Sequence, residues 1–252
     1  MKHRSASKAK DPQNAAKMYK KAVADTTGRW QAFHFTSYDN PYISADALDD
    51  LKQDMTSVAY RMEIMAEDLN EAPGALWKRA DIDGARLFES PVLEKIVVGV
   101  DPSATSGGDE AGIITAGVRG NDYYTLADDS IQGSPQAWAT AAVKAYHQHK
   151  ANYIVAEGNN GGEMVTAVIK QVDPSVKVKL VHASRGKATR AEPVAAVAEQ
   201  GRDHHVGTFP ALEDELCLWM VGDASPNRLD AKVWAITELI GSKIQTARSW
   251  RG

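Results

Sequence analysis

Apolar residues form three short runs in quick succession after Pro91. The runs KIVVGVD, AGIITAGVRG and YYTLADD are separated by Gly, Asn and Asp residues that are typical of turns. Each run has the length and the β-branched composition of a strand. Because the connections between the runs are short, neighbouring strands should lie antiparallel. The pattern therefore predicts a three-stranded antiparallel meander.

Helices and strands alternate through the rest of the chain. Ser134-Pro135 begins a helix by the rule of a cap followed by proline, and YIVAEG then gives a short apolar strand. EMVTAVIKQV is predicted as a helix that Pro174 ends, and VKVKLVHA as a fifth strand. Three more helices follow in ATRAEPVAAVAEQG, ALEDELCLWM and PNRLDAKVWAITELIG, with the extended piece HHVGTFP after the first of them. We expect an α/β fold in which helices cover both faces of a mixed sheet.

The first 90 residues have a different pattern. WQAFHF, residues 30–35, is predicted to be a short strand. Ser44 is a plausible N-cap for a helix whose apolar residues recur at helical spacing until Pro73-Gly74. The Met-rich face of that helix is predicted to pack in a core; its residues are Met55, Met62 and Met65.

Residues 75–90 are predicted to be a linker with Trp77 and Phe88 as aromatic anchors. We therefore assign residues 1–90 to a mainly helical N-terminal extension with its linker. Residues 91–252 form the α/β domain in this assignment.

Composition limits the classes of function. The 252 residues carry 29 Lys and Arg against 33 Asp and Glu, which gives a formal net charge of −4. A single cysteine, Cys217, excludes an intramolecular disulfide framework and a multi-cysteine zinc site, and it favours a reducing cytoplasm. No apolar run approaches the ~20 residues needed to cross a bilayer, so no membrane association is expected. Residues 1–21 are basic, with seven Lys and Arg against one acid, a run more typical of a solvated tail or helix face than of a binding site.

Three carboxylates fall at the ends of predicted elements. Asp101 ends the first strand, Glu157 ends the short central strand before a Gly-Asn-Asn-Gly-Gly loop, and Asp230 lies in the first turn of the last helix. An acid at the end of a buried strand costs several kcal/mol unless a positive charge is close. A divalent metal ion is the simplest such partner.

Each acid also has a purely structural explanation. Asp101 precedes Pro102 as in a common turn, and Asp230 would be stabilised by the helix dipole by ~0.3–1 kcal/mol. Glu157 is harder to explain, because Glu is a poor strand residue and the glycines beside it leave room for a ligand. Taken together, the three acids favour function over coincidence.

Phosphodiester hydrolysis by two metal ions about 3.5–4 Å apart is the chemistry that suits these acids. Oxygen ligands favour Mg²⁺ or Mn²⁺. Asp101 is expected to bridge both ions, while Glu157 and Asp230 each complete one coordination sphere. Water is the nucleophile in this scheme.

A basic segment follows the fifth predicted strand and begins a helix. It contains Arg185, Lys187 and Arg190, and it places three cations and a helix N-terminus at the edge of the sheet where ligands bind. A solvated cluster explains the same residues. Both explanations stay open at this point; as a binding site, the three side chains would hold the phosphate backbone of DNA.

Four segments stand in an order and at a spacing found in one known family. IVVGVDPSAT, IVAEGNNGG, HASRGKATRAEPV and SPNRLDAKVWAITEL together resemble the C-terminal nuclease domain of the large terminase subunit of tailed bacteriophages. Upstream, HFTSYDNPYISADALDDLK, YRMEIMAEDL and PGALW are similar to the end of the terminase ATPase domain and the linker that follows it. The resemblance covers most of the chain.

The resemblance implies a ribonuclease-H-like fold, in which three antiparallel strands are followed by parallel strands and helices flank the sheet. It implies an endonuclease that cuts concatemeric viral DNA during genome packaging, with two Mg²⁺ or Mn²⁺ ions held by Asp101, Glu157 and Asp230. The implied partners are double-stranded DNA, the terminase ATPase domain, the small terminase subunit and the portal protein. The implied location is the host cytoplasm, transiently at the procapsid portal.

The sequence departs from the family at two points. It contains no phosphate-binding segment of the form G-x-x-x-x-G-K-[ST], so we expect no ATPase activity from this chain alone and interpret it as a fragment of a longer protein or a split gene product. Asn227 stands where many relatives have an acid, in S-P-D-R. Asn227 would be a weaker metal ligand, through its carbonyl oxygen or through water.

Three other functions compete with this one. An actin-like or sugar-kinase-like nucleotide-binding domain begins with a similar strand and Asp, but Asp101 is followed by Pro-Ser-Ala-Thr instead of a glycine-rich phosphate loop. A cellular junction resolvase would share the acids but would leave DNPYI and PGALW unexplained. The third is a non-catalytic fragment in which residues 1–90 dock a motor or portal partner.

Overall fold

The computed structural model of the protein describes residues 18–54 except 20, and residues 60–67, 72, 74–102, 110–158, 162–182 and 186–249. The chain divides into two compact units, Met1–Leu69 and Asn70–Gly252. In the described residues, the first unit buries one hydrophobic cluster and the second unit buries two.

The first unit is helical in its described part. A 3-10 turn, Ser37–Asp39, precedes helix α1, Ala45–Asp54, and a π-helical turn covers Tyr60–Ile64. Ser44 accepts a hydrogen bond from the backbone N–H of Ala47 at 3.2 Å, which confirms it as the cap of α1. Leu48 packs with the π-helical turn in a small buried cluster.

Three expectations for this unit are wrong. The helix predicted to continue until Pro73-Gly74 ends earlier, because residues 65–67 are not helical. Residues 30–35 form no strand, and Phe33 and Phe35 are exposed and stack on each other. Among the described residues no strand pairs with this segment, so it has no sheet to join. Met62, expected in a core, is exposed, whereas Met65 packs against the small cluster and Met55 lies outside the described residues.

The second unit is built on one mixed sheet, to which seven strands belong in the part of the chain that the structure describes. The strands are β1 Lys95–Asp101, β2 Glu110–Arg119, β3 Asp122–Asp128, β4 Ile131–Gln132, β5 Tyr153–Glu157, β6 Val178–Val181 and β7 Asp203–His205. Their spatial order is β6-β5-β1-β2-β3-β7, and β4 pairs with β2 beside this path.

Strand directions follow the lengths of the connections. β1, β2 and β3 are antiparallel neighbours joined by short links, whereas β5, β6 and β7 add in parallel after helical crossovers. The predicted antiparallel meander and the parallel strands beyond it are thus confirmed. The predicted extended piece HHVGTFP contributes β7, which pairs in parallel with β3.

Helices cover both faces of the sheet, as expected. They are α2 Arg79–Gly84, α3 Pro135–Gln148, α4 Gly162–Val172, α5 Lys187–Glu199, α6 Pro210–Leu218 and α7 Asn227–Ser249. Val98 and Val100 face α3 and α4, while Val97 and Val155 face α5, α6 and α7. Alternate residues of each strand point to opposite faces, so the sheet separates two buried layers.

The segment expected to be a linker contributes to the second layer. It contains α2, and Trp77 and Ile82 are buried in the cluster formed with α5, α6 and α7. Leu87 forms a parallel bridge to Val206 at the outer side of β7. The prediction of Trp77 as an anchor is confirmed, but Phe88 is exposed and the prediction for it is wrong.

Membrane insertion of the described helices finds no support. In the part of the chain that the structure describes, every helix is too short or too polar to cross a bilayer.

Candidate active site

Asp101 and Glu157 lie side by side at the carboxyl edge of the sheet. They are the last residues of β1 and β5, which run parallel with Val100 opposite Ala156. Asp101 and Glu157, the next residue of each strand, therefore lie opposite each other on strands that are about 4.7–4.9 Å apart. Asp101 has the strand parity of Val97, and Glu157 that of Val155, so both side chains point to the layer that contains α7.

Two glycines let α7 lie directly on this edge. A Cβ atom at Gly99 would collide with the backbone oxygen of Ala231, and one at Gly112 would collide with the backbone of Asn227. Gly112 is paired with Asp101 in the antiparallel register. The first turns of α7 therefore touch β1 and β2 next to Asp101, and they carry Asp230.

Asp230 is buried and forms an ion pair with Lys187. Its Oδ2 atom accepts hydrogen bonds from Ser225 Oγ at 2.5 Å and from Lys187 Nζ at 2.7 Å. Lys187 Nζ also donates to Ser225 Oγ at 2.6 Å, so the three groups form a closed triangle. Asp230 is 7% exposed and Lys187 51% exposed, which means that the positive end of this pair reaches solvent.

The electrostatics of Asp101 show how closely the acids have been brought together. Burial and the neighbouring carboxylate of Asp230 raise the pKa of Asp101 to about 7. Lys187 and Arg190 act in the opposite direction, and Glu157 adds to the rise. The carboxylates of Asp230 and Glu157 are thus close enough to Asp101 to act on it electrostatically.

The side chains as they stand do not form a ready coordination shell. No group of three His, Cys, Asp or Glu residues within the described ranges is arranged to hold a metal ion. Asp230 is paired with Lys187 instead. The donor chemistry nevertheless fits a hard cation, because carboxylates from β1, β5 and α7 lie at the same edge of the sheet.

The structure gives different contexts to the other predicted site residues. Asn227 donates its side-chain amide to the backbone carbonyl of Glu110, a contact that holds α7 on β2. Arg190 lies over the ring of Trp234, 4.1 Å from its centroid, which fixes a positive charge beside the site. Arg185 lies outside the described residues. Metal binding by Asn227 and DNA binding by Arg185, Lys187 and Arg190 stay predictions.

An imidazole borders the site and has no role in the sequence-based scheme. His182 follows β6, and a Cβ atom at Gly158, directly after Glu157, would meet its ring. The glycine makes room for the ring. His182 directly follows β6, which pairs in parallel with β5, so its place at a strand end is the sequence signal that could have indicated a neighbour of the site.

Two charge networks that the sequence did not reveal contain residues of α7. In the first, the buried Lys232 contacts Asp203 Oδ2 at 2.8 Å, Thr125 Oγ1 at 2.9 Å and His205 Nε2 at 2.8 Å. In the second, Arg228 pairs with carboxylates of β2, β3 and α6. The partners lie up to 118 residues apart in sequence, so no local motif marks them.

The His205 ring extends the first network to α6. Lysine can only donate and a carboxylate can only accept, so Nε2 of His205 accepts from Lys232 and Nδ1 donates to Glu213 Oε1 at 3.0 Å. Burial and the charge of Lys232 lower the pKa of His205, which agrees with a neutral ring. Glu213 in turn binds Arg86 Nη1 at 2.6 Å.

The sequence that carries these acids matches a known family. Residues 98–239 match the family described as the terminase RNaseH-like domain, and the match includes Asp101, Glu157 and Asp230. It spans more than half of the chain. No curated protein matches the sequence.

Solved structures show the same fold at low sequence identity. The large terminase from a thermophilic bacteriophage is 14% identical with a TM-score of 0.50, over 84% of this chain and 56% of that protein. A mutant nuclease domain of the large terminase subunit gp2 of bacterial virus Sf6, with manganese and beta-thujaplicinol, is 13% identical with a TM-score of 0.50, over 64% of this chain and 98% of that domain. The human cytomegalovirus terminase nuclease domain is 16% identical with a TM-score of 0.48, over 64% and 93%. The expected ribonuclease-H-like fold is confirmed, and the chain spans just over half the length of the thermophilic phage terminase.

Proposed function

Because the chain belongs to the terminase RNaseH-like domain family, we propose that it is the nuclease part of a phage terminase large subunit, an endonuclease that cuts double-stranded DNA during packaging of the viral genome. One observation carries the proposal. The register of β1 and β5 sets Asp101 beside Glu157, and Gly99 lets α7 bring Asp230 to the same edge.

Divalent metal ions complete this proposal. Mg²⁺ or Mn²⁺, two ions in the scheme favoured here, would be held by Asp101, Glu157 and Asp230, with Asn227 as an additional ligand. Bound there, the ions would supply an attacking hydroxide at neutral pH and would stabilise the leaving oxygen. The high pKa of Asp101 supports a site that needs added positive charge.

Protein groups would orient the DNA strand. α5 begins at Lys187, so its N-terminus and the exposed end of Lys187 face the carboxylate edge, where a phosphate group would lie. Lys187 pairs with Asp230 in this structure, and transfer of its charge to a phosphate would free the Oδ2 atom of Asp230. Arg190, fixed on Trp234, adds a second cation beside the strand.

The proposed setting follows from the family. The chain would act with the ATPase domain, the small terminase subunit and the portal protein, in the host cytoplasm and transiently at the procapsid portal. ATP hydrolysis is not expected from this chain, because its sequence has no phosphate-binding loop.

Cleavage of supercoiled plasmid in the presence of Mn²⁺ tests the proposal. We expect the wild-type chain to nick and linearise the plasmid, EDTA to stop the reaction, and Asp101→Asn to abolish it without loss of the fold. Asp122→Asn is a matched control, because Asp122 begins β3 at the opposite edge of the sheet. An intact plasmid with the wild-type chain would favour the docking fragment, and equal cleavage by Asp101→Asn would overturn the assignment of the site.

A further inference from the structure

The first turn of α7 is held from the side opposite Asp230. Arg228 lies there among three carboxylates, each from a different element of the fold. They are Glu110 at the start of β2, Asp128 at the end of β3, and Glu215 on α6.

The contacts of Arg228 use all sides of its guanidinium group. Nε donates to Asp128 Oδ2 at 3.0 Å, and Nη1 donates to Glu215 Oε1 at 3.1 Å. The two carboxylate oxygens of Glu110 accept hydrogen bonds from Nη1 and Nη2 of Arg228, and the bond from Nη2 is 2.5 Å long. Such a fork fixes the orientation of an arginine more strictly than a single ion pair does.

Glu215 ties the helix backbone into the same cluster. Its second oxygen, Oε2, accepts the backbone N–H of Leu229 at 3.1 Å, one of the N–H groups that a helix start leaves without an internal partner. Glu215 therefore binds both the side chain of Arg228 and the backbone of the next residue. The first turn of α7 is fixed to α6 at two points.

Burial and hydrogen bonding argue against a role of Arg228 in binding DNA. Its side chain is only 15% exposed, and it donates to carboxylate oxygens of Glu110, Asp128 and Glu215. The guanidinium is fully engaged by the protein itself.

Helix geometry connects this cluster to the active site. Two residues along an α-helix correspond to a rotation of about 200°, so Arg228 and Asp230 project from nearly opposite sides of α7. A rotation of α7 by about 20° would move a carboxylate at the helix surface by roughly 2 Å. Displacements of about 1 Å can cost roughly 100-fold in rate at a site that depends on orientation.

We infer that Arg228 is a positioning residue, which fixes the rotation of α7 through Glu110, Asp128 and Glu215 and so aims Asp230 at Asp101. The inference rests on the proposed function, because the orientation of Asp230 matters only if the three acids act together on a cation. It assigns no direct contact between Arg228 and DNA or metal.

The test compares Arg228→Met and Arg228→Lys with Arg86→Met. Arg86 is a matched control, because it also holds a buried carboxylate, that of Glu213, by a two-point contact, but it lies on the segment after α2 instead of on α7. Three quantities are measured for each protein: the rise in melting temperature with Mn²⁺, the plasmid cleavage rate per folded molecule at saturating Mn²⁺, and amide hydrogen exchange of residues 229–231 without metal.

We expect Arg228→Met to raise the half-saturating Mn²⁺ concentration by about tenfold or more, to slow cleavage by roughly 100-fold and to speed exchange at residues 229–231. Arg228→Lys should recover part of each loss, because it keeps the charge but not the fork. Arg86→Met should lower the melting temperature while leaving Mn²⁺ half-saturation and cleavage per folded molecule unchanged.

The opposite pattern overturns the inference. If Arg228→Lys and Arg228→Met lower only the melting temperature, as Arg86→Met does, Arg228 is a stability residue. If Arg228→Met does not fold, Arg228→Lys alone decides between these results. A wild-type chain that neither responds to Mn²⁺ nor cuts DNA overturns the proposed function and the inference together, whereas an active wild type with equally active variants overturns the inference alone.

Discussion

Replacing Lys232 with methionine should destabilise the second unit strongly. Lys232 is 0% exposed, and its ammonium group is held by Asp203, Thr125 and His205. Lys232→Met keeps most of the volume of the side chain but removes the charge. The carboxylate of Asp203 would then remain buried without a cation, since Lys232 is the partner that binds its Oδ2 atom.

The size of the effect follows from the burial of both partners. Removal of one partner of a buried ion pair typically costs about 3–5 kcal/mol, because the other charge stays uncompensated. For a unit of this size, that corresponds to a fall in melting temperature of roughly 10 °C. A second substitution, Asp203→Asn, should restore part of the loss, because an amide is cheaper to bury than a lone carboxylate.

Urea denaturation followed by circular dichroism measures the free energy of unfolding of each variant. Lys78→Met is the control, because Lys78 pairs with Glu199 at 3.9 Å where both side chains are exposed, and such a pair is worth at most about 1 kcal/mol. If Lys232→Met lost no more stability than Lys78→Met, the reasoning about the buried charge would be refuted. A double variant less stable than Lys232→Met would also contradict it.

Three other predictions concern the approach of α7, the basic end of α5 and the acid limb of stability. Gly99→Ala should lower the unfolding free energy by about 1–3 kcal/mol and remove most of the cleavage activity, because its Cβ atom would push Ala231 and the start of α7 away from β1. Gly241→Ala, which has open space around it, should change neither the stability in urea nor the plasmid cleavage. Lys187→Ala should weaken DNA binding and reduce the salt slope of the affinity by about one; an unchanged slope in fluorescence anisotropy would remove Lys187 from the DNA contacts. Burial opposes ionisation of Glu213, but hydrogen bonds from His205, Arg86 and the Phe209 N–H outweigh it and lower the pKa of this carboxyl. Its contribution to stability is therefore complete above the ordinary glutamate pKa of 4.5 and is lost as the pH falls below that value, so the unfolding free energy of the wild type should drop more steeply between about pH 5 and pH 3 than that of Glu213→Gln; equal slopes would contradict this.

The sheet could be predicted well because its strands are apolar runs bounded by turn residues. KIVVGVD and YIVAEG fall within a residue of β1 and β5, and the placement of Asp101 and Glu157 at the strand ends is confirmed. The same reasoning failed for WQAFHF, because its strand-forming aromatic residues do not supply a neighbouring strand. Helix α2 was missed because it has six residues and no side-chain cap.

The positions of the acids were predictable, but the devices that orient them were not. Asp230 could be placed in the first turn of a helix, yet nothing near it in sequence indicates that Gly99 and Gly112 allow that helix to touch the sheet. The partners of Arg228 and Lys232 come from strands and helices far away along the chain. Such pairings depend on tertiary structure, and a single sequence carries no periodic signal for them.

The pairing of Leu87 with the outermost strand has a consequence for how the protein avoids aggregation. The N–H of Leu87 donates to the carbonyl of His205, and its carbonyl accepts the N–H of Gly207, so the chain itself caps the backbone groups beyond β7. A recombinant fragment that begins at residue 91 would expose these backbone groups beyond β7. It would also expose the apolar surface on which Trp77 and Ile82 pack. Unpaired strand edges of this kind pair with strands from other molecules. Soluble nuclease fragments should therefore begin upstream of Ala72, because the N–H of Ala72 donates to the carbonyl of Cys217.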